Sequence, residues 1–244
     1  MNVKKRQKEK KIQMFDKNGI IVLNKPTGMS SSLAVSIVKR ILRPNKIGHL
    51  GTLDPLGTGV LLLAINKGTK LFDLYLTKRK TYKTIFKFGI ETDTFDSEGN
   101  IVKEQECEIC LEDVVEKTKL LTGEMAQIPP MYSAKKVSGK KAYELAREGK
   151  TVELKPRNVI IYRFECLRQV EKNTFMFEIE CSAGTYIRSL CRDLATLLST
   201  CGTMVYINRT TCGVFDIKQS STLEQIRENE FVFFETNEKG DIIG

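Results

Sequence analysis

The sequence predicts one α+β domain built on a mixed, largely antiparallel sheet with flanking helices. Three observations carry that prediction. Candidate strands and helices follow one another without the regular strand–helix–strand rhythm of a parallel sheet. Residues 81–90 alternate, with Tyr82, Thr84, Phe86 and Phe88 on one side and Lys83, Ile85 and Lys87 on the other, as in a strand with one apolar face. Residues 159–167 and 175–181 flank a Glu171-Lys172-Asn173 turn and read as a pair of strands.

The remaining elements follow in order. Residues 20–24 form an apolar run closed by Lys25-Pro26-Thr27-Gly28, hence a buried strand. Ser30, Ser31 or Ser32 can cap a helix reaching Leu42, with Leu33, Val35, Ile37, Val38 and Ile41 mostly suited to one face and Pro44 stopping it. A glycine-rich loop leads to a second apolar strand, 60–65. Residues 67–76 look helical, Asp96-Ser97-Glu98-Gly99-Asn100 is a turn, and 111–121 is a helix. The stretch 122–155 is polar and basic, and 141–148 within it suits a short helix. An amphipathic helix is expected over 186–198, with short strands at 204–207 and 214–217.

The chain has 244 residues, 41% of them hydrophobic and 28% charged, enough for a sizeable core. Its net charge of +9 suits a polyanionic partner, nucleic acid being the common one. The excess is concentrated in residues 1–12, where Lys4, Lys5, Arg6, Lys8, Lys10 and Lys11 face a single Glu9. Such an arm either contacts nucleic acid or solubilises the chain. No apolar run approaches the roughly 20 residues of a membrane span, and no apolar segment follows the charged start as in a signal peptide. Seven scattered cysteines fit reduced thiols in the cytoplasm better than a disulfide framework. Cys107 and Cys110 form a lone C-x-x-C without further ligands, so no metal is expected.

The chemistry concentrates in Gly48-His49-Leu50-Gly51-Thr52-Leu53-Asp54-Pro55-Leu56-Gly57-Thr58-Gly59. It holds the single histidine and one carboxylate, Asp54, beside a rigid proline. A positioned carboxylate can act as a nucleophile, notably at a sugar anomeric carbon, or as a base. Gly184-Thr185-Tyr186-Ile187-Arg188 is a second compact motif, and Arg188 is a candidate partner for Asp54; taken by itself it reads as a helix-surface arginine. Tyr82 reads as core, or as a platform for a nucleobase. His49 is as readily structural as functional. Phosphate-binding and dinucleotide-binding glycine motifs are absent, a Ser-His-Asp triad would have no nucleophile elbow, and no cofactor is expected.

The Asp54 loop resembles the catalytic motif of the TruB-type tRNA pseudouridine-55 synthases. Four further segments match in order: Leu23-Asn24-Lys25-Pro26-Thr27-Gly28, Lys80-Thr81-Tyr82-Lys83, Pro129-Pro130-Met131-Tyr132-Ser133-Ala134 and Cys181-Ser182-Ala183-Gly184-Thr185-Tyr186-Ile187-Arg188. The resemblance runs from about residue 18 to 218. It implies the pseudouridine synthase fold and isomerisation of uridine 55 in the tRNA T-loop by base flipping. Asp54 would start the reaction, by attack at C1′ or by helping remove the 2′ proton. Arg188 would pair with it. Tyr82 would stack on the flipped base and is a candidate base at C5. His49 would fill the space the nucleotide leaves, Tyr186 would line the pocket, and Ile207 would stand where the family has an apolar leucine. Lys25 and Lys136 are expected to contact substrate, Lys136 with Lys135, Lys140 and Lys141 on phosphates of an RNA-clasping insertion. Leu50 and Asn208 depart from the family, which commonly has Thr or Ser, and Arg, at these places.

The implied organisation is a basic arm at 1–17, a catalytic domain at 18–220 with its insertion at about 122–155, and a short acidic tail at 221–244 in place of a full PUA-like RNA-binding domain. The implied partner is the tRNA T-arm, met by a monomer that needs no protein partner, no membrane and no cofactor. Two other readings share the basic surface. One is a tRNA-folding chaperone in which modification is secondary. The other is a guide-dependent synthase of the dyskerin kind, which the full-length insertion disfavours.

Overall fold

A computed structural model describes residues 14–133, 136–137, 140–141, 154–237 and 241–243, with the backbone alone given at 136–137 and 140–141. Its centre is a ten-stranded sheet. In chain order its strands are β1 (Gly19–Lys25), β2 (Ile47–His49), β3 (Thr58–Ile65), β4 (Lys80–Phe88), β7 (Gly123–Gln127), β10 (Arg157–Glu171), β11 (Thr174–Cys181), β12 (Gly202–Cys212), β13 (Phe215–Asp216) and β14 (Phe233–Glu235). The order across it is β14-β1-β3-β12-β4-β11-β10-β7, with β2 beside β3 and β13 beside β12. Strands β5 (Ile90–Thr92) and β6 (Ile101–Glu104) form a separate hairpin, as do β8 (Lys136–Val137) and β9 (Lys140–Lys141). Helices α1 (Ser31–Leu42), α2 (Phe72–Leu76), α3 (Leu111–Leu120), α4 (Ile187–Leu197) and α5 (Leu223–Arg227) flank the sheet. None of the described helices is long and apolar enough to cross a membrane.

The apolar runs of β1 and β3 are continuous because this part of the sheet is covered on both faces. Ile21, Leu23, Leu61, Leu63 and Ile65 join one core with Ala34, Val38, Leu190 and Leu194. Ile20, Val22, Val60, Leu62 and Ala64 join a second with Leu71, Tyr75 and Phe215. Most neighbours in the sheet are antiparallel, but β3 meets β12 in parallel through Thr58 opposite Asn208 and Gly59 opposite Arg209. Gly59 has φ of 93°, and a side chain there would put its Cβ 2.4 Å from the Arg209 carbonyl oxygen. Only glycine allows that approach. The contact sits directly after the Asp54 loop and ties it to the centre of the sheet.

Several expectations need correction. Ser30 caps α1, accepting from Leu33 N at 3.1 Å, but the buried stripe is Ala34, Val38 and Leu42, while Leu33 is exposed. The 204–207 strand extends over Gly202–Cys212, because its polar residues find partners inside the sheet. Residues 67–76 divide into a 3₁₀ turn and the short α2. The basic stretch at 122–155 begins with β7, an edge strand paired to β10. Lys141 belongs to β9, and the rest of the expected 141–148 helix, 142–148, lies outside the described residues.

The 221–244 segment, read from sequence as a tail, is folded through most of its described length. Ser221 bonds to β1 on both sides, Leu223 and Ile226 are buried, and β14 pairs with β1. At the other terminus Phe15, placed within the arm by sequence, packs edge-on against Phe233 and near Phe231. Residues 1–13 lie outside the described residues.

Candidate active site

Each carbonyl from Gly51 to Leu56 accepts a hydrogen bond. Arg209 donates to Gly51 O and Thr52 O, both at 3.3 Å. Ser31, buried at the start of α1, donates through Oγ to Leu53 O at 2.8 Å and accepts from Leu53 N at 2.9 Å. Gly57 N closes a turn on Asp54 O at 2.9 Å. Pro55 O receives Gly28 N at 3.0 Å and Lys25 Nζ at 3.2 Å, and Leu56 O receives Thr27 Oγ1 at 3.1 Å. A surface loop normally leaves such groups to water. Here the backbone around Asp54 is held by its own chain, while the Asp54 side chain stays 40% exposed.

Arg188 supplies the cation. Its Nη2 lies 2.7 Å from Asp54 Oδ2 and its Nη1 3.4 Å from Asp96 Oδ2. The same guanidinium donates to Thr94 O at 2.9 Å and to Tyr132 O at 3.0 Å. Helix α4 carries it in its first turn, after the 182–186 loop that follows the Cys181 strand end. Tyr186, the cap residue, has no side-chain cap of its own; the buried Gln127 of β7 receives Tyr186 N at 2.8 Å and donates to Tyr186 O at 3.2 Å. Asp96 is buried in a turn of its own making, accepting from Thr94 Oγ1 at 2.7 Å and Glu98 N at 3.1 Å. Sequence reading treated 96–100 as a plain turn; nothing local marks Asp96 as Arg188's second carboxylate.

Tyr82 lies on β4 opposite Arg209 of β12, so the two side chains share one face of the sheet. Arg209 is fully buried and also donates through Nε to Val60 O at 2.7 Å. The Arg209 charge lies beside the Tyr82 phenol and favours its ionised form. Burial pushes the Tyr82 phenol well above its ordinary value, with Arg209 opposing only in part. The hydroxyl therefore stays protonated at neutral pH, which bears against an ionised tyrosine base at C5. His49 ends β2, paired with Leu63, rather than lying in a free loop. Burial, with the Arg209 charge second, lowers its pKa and leaves the imidazole neutral at pH 7. Lys80 is likewise lowered by burial and donates to Leu76 O and Lys78 O.

Ile207 is buried on β12, two residues before Arg209, and its carbonyl accepts from Thr58 Oγ1 at 3.2 Å. The Lys25 expectation fails on geometry. Its ammonium is fully enclosed and donates to Pro26 O, Met29 O and Pro55 O, so it braces the loop instead of meeting a substrate. Burial lowers its pKa to about 8, with Glu98 and Asp54 opposing. The side chain of Lys136 lies outside the described residues. Arg209 is the functional-site residue that sequence reading passed over. Its only local signal was an arginine in an otherwise strand-forming run.

Among the described residues no three of His, Cys, Asp and Glu gather as a metal site requires. A cleft of about 590 Å³ lined by Phe88, Gly89, Gln105, Cys107 and Asn173 does not include Asp54. The site is a half-exposed carboxylate on a braced loop, a buried cation against it, and a buried tyrosine and neutral histidine around a second buried cation. That arrangement can present one directed carboxylate to a large ligand at an open surface.

Residues 39–187 match the model of the N-terminal domain of TruB family pseudouridylate synthases. The chain is 43% identical over 218 residues to tRNA pseudouridine synthase B of Clostridium tetani, covering 89% of this chain and 75% of that protein. It is 43% identical over 220 residues to the Mesoplasma florum protein of the same name, covering 89% and 77%. With the Rickettsia africae protein it shares 47% over 192 residues, 78% of this chain but 56% of the relative. Among solved structures, a chain of a Cbf5-Nop10-Gar1 complex superposes with a TM-score of 0.68 at 27% identity, over 86% of this chain and 54% of that one. A chain of an H/ACA ribonucleoprotein bound to a substrate RNA containing 2′-deoxyuridine gives 0.65 at 26%, over 86% and 52%. The chain thus spans little more than half the length of several of its matches.

Proposed function

The chain belongs to the TruB family of pseudouridylate synthases, and from that premise we propose that it isomerises uridine 55 in the T-loop of tRNA to pseudouridine. The observation that carries this reading is the 2.7 Å pair between the buried Arg188 and the half-exposed Asp54. A carboxylate that must reach one ribose needs a fixed direction and an open approach. The braced 51–56 backbone supplies the first and the Asp54 exposure the second.

A uridine inside a folded loop presents neither C1′ nor C5 to such a group, so it is extruded, at a cost of a few kcal/mol of unstacking. Tyr82 offers the flipped base an aromatic face, and the neutral His49 fills space without an added charge. Asp54 then acts at the ribose, at C1′ or on the 2′ proton. The C1′–N1 bond breaks, the uracil turns, a C1′–C5 bond forms, and the C5 proton is lost as N1 gains one. No atom is gained or lost overall, so the chain's own residues suffice without a redox partner. The reading extends to a monomer in the cytoplasm that needs no protein partner.

Incubation with unmodified tRNA transcript, followed by mapping of pseudouridine, tests the reading. The wild type should convert position 55. Asp54→Asn should abolish conversion and leave tRNA affinity unchanged. Turnover near the wild-type rate in that variant would overturn the assignment.

A further inference from the structure

We infer that Arg209 is a positioning residue that holds the Asp54 loop and Tyr82 in register with each other. The inference rests on the pseudouridine synthase reading and adds to it a residue that touches neither Asp54 nor an exposed surface. Among the described residues no carboxylate lies within ion-pair distance of Arg209, although it is 1% exposed. An unpaired buried cation is costly unless its donors are satisfied. Here they are spread over three carbonyls. Val60 O, Thr52 O and Gly51 O accept at 2.7, 3.3 and 3.3 Å, and Tyr82 is the cross-strand neighbour on the same face.

These carbonyls belong to β3 and to the loop two and three residues before Asp54, and Tyr82 on β4 stands opposite Arg209 across the strands. The backbone of Arg209 is itself fixed by the close approach of Gly59. Asn208 Nδ2 donates to Thr58 Oγ1 at 2.8 Å on the same parallel contact. A shift of the guanidinium therefore moves the Gly51 and Thr52 carbonyls against the Tyr82 side chain across the strands. A planar fork reaches these diverging acceptors at once, which a lysine ammonium cannot do. The Arg209 charge also reaches His49 and helps keep it neutral.

The test uses Arg209→Lys and Arg209→Met in the full chain. Both should bind tRNA within about threefold of wild type while single-turnover conversion falls about 100-fold, the loss typical of a reacting group misplaced by about 1 Å. Tyr82→Phe should cost less in the Arg209→Met background than in wild type, because the phenol has already lost the charge beside it. His49 is the only histidine, so its ring-proton signals titrate without ambiguity; its pKa should rise toward the ordinary 6.5 in Arg209→Met. Should Arg209→Met fail to fold, Arg209→Lys decides by the same rate and affinity. Wild-type conversion rates in both variants, or equal losses of affinity and rate, overturn the inference. Failure of the wild type to convert tRNA overturns the functional reading instead, and leaves the His49 shift as the measure of Arg209.

Discussion

Arg188 and Arg209 are both buried beside the same loop, yet they do opposite work. Arg188 faces two carboxylates, Asp54 and Asp96, and two carbonyls. Arg209 faces three carbonyls, with Tyr82 as its cross-strand neighbour. The first region therefore holds an excess of anion, part of it exposed; the second holds an excess of cation, all of it enclosed. One orients a reacting side chain, and the other orients the backbone that carries it. The difference shows why a single buried charge can be kept without an ion-pair partner. Backbone dipoles satisfy Arg209, and the site gains a rigid loop and a neutral histidine in return.

The comparison is broken most sharply at Arg188. Arg188→Met should lower single-turnover conversion about 100- to 1000-fold, as for loss of one preorganised charge. It should also destabilise the fold by about 3–5 kcal/mol, because Asp96 is left buried without its partner. Urea unfolding and single-turnover assays read the two effects. A stability loss with normal conversion would make Arg188 a fold residue only.

Tyr82→Phe comes next: the ring is kept, so affinity should hold, and conversion should fall only about tenfold, the scale of one lost hydroxyl contact. The pH–rate profile of the wild type should show no rising limb from the phenol up to pH 10, because burial places its ionisation above the ordinary 10.0. An alkaline limb that Tyr82→Phe removes would instead reinstate an ionised tyrosine as the C5 base.

Ser31→Ala tests the middle of the loop. Leu53 N and O lose their common partner, which costs about 1–3 kcal/mol, and conversion should fall less than in Arg188→Met. A melt and a rate measurement on one preparation separate the two. An unchanged melt would show that water replaces Ser31.

Lys25 gives the smallest and most conditional effect. Its folded pKa is lowered from 10.5 to about 8, so between those values the unfolded chain binds the extra proton. The stability contributed at Lys25 should therefore rise as pH increases from about 8 to 10.5, and stay flat below that window. Unfolding of wild type against Lys25→Met across the window should show this rise in the wild type alone. Parallel curves would mean that Lys25 is not the group concerned.

The strands and helices that were legible carry strong periodicity or a clear terminus. The alternation of 81–90, the apolar runs of β1 and β3, the Ser30 cap and the Glu171-Lys172-Asn173 turn all appear where expected. What was missed lacks such signals. β2, β7 and β14 are edge or short strands that depend on a neighbour for their hydrogen bonds. Thr236 and Ser221 look like tail residues until β1 is placed beside them. The pairing of Asp54 with Arg188 was readable only through the resemblance, since the two are far apart in sequence.

By itself the sequence determined the apolar faces, the turns and the one carboxylate flanked by glycine and proline, because propensity and periodicity act over neighbouring residues. Only the tertiary structure decided which distant groups meet that carboxylate. Asp96 joins Arg188 through a turn tacked onto β12, Arg209 reaches the loop across the parallel β3–β12 contact, and Lys25 spends its ammonium on carbonyls. Each of these depends on burial and on hydrogen bonds between segments remote in the chain, and no local pattern records either.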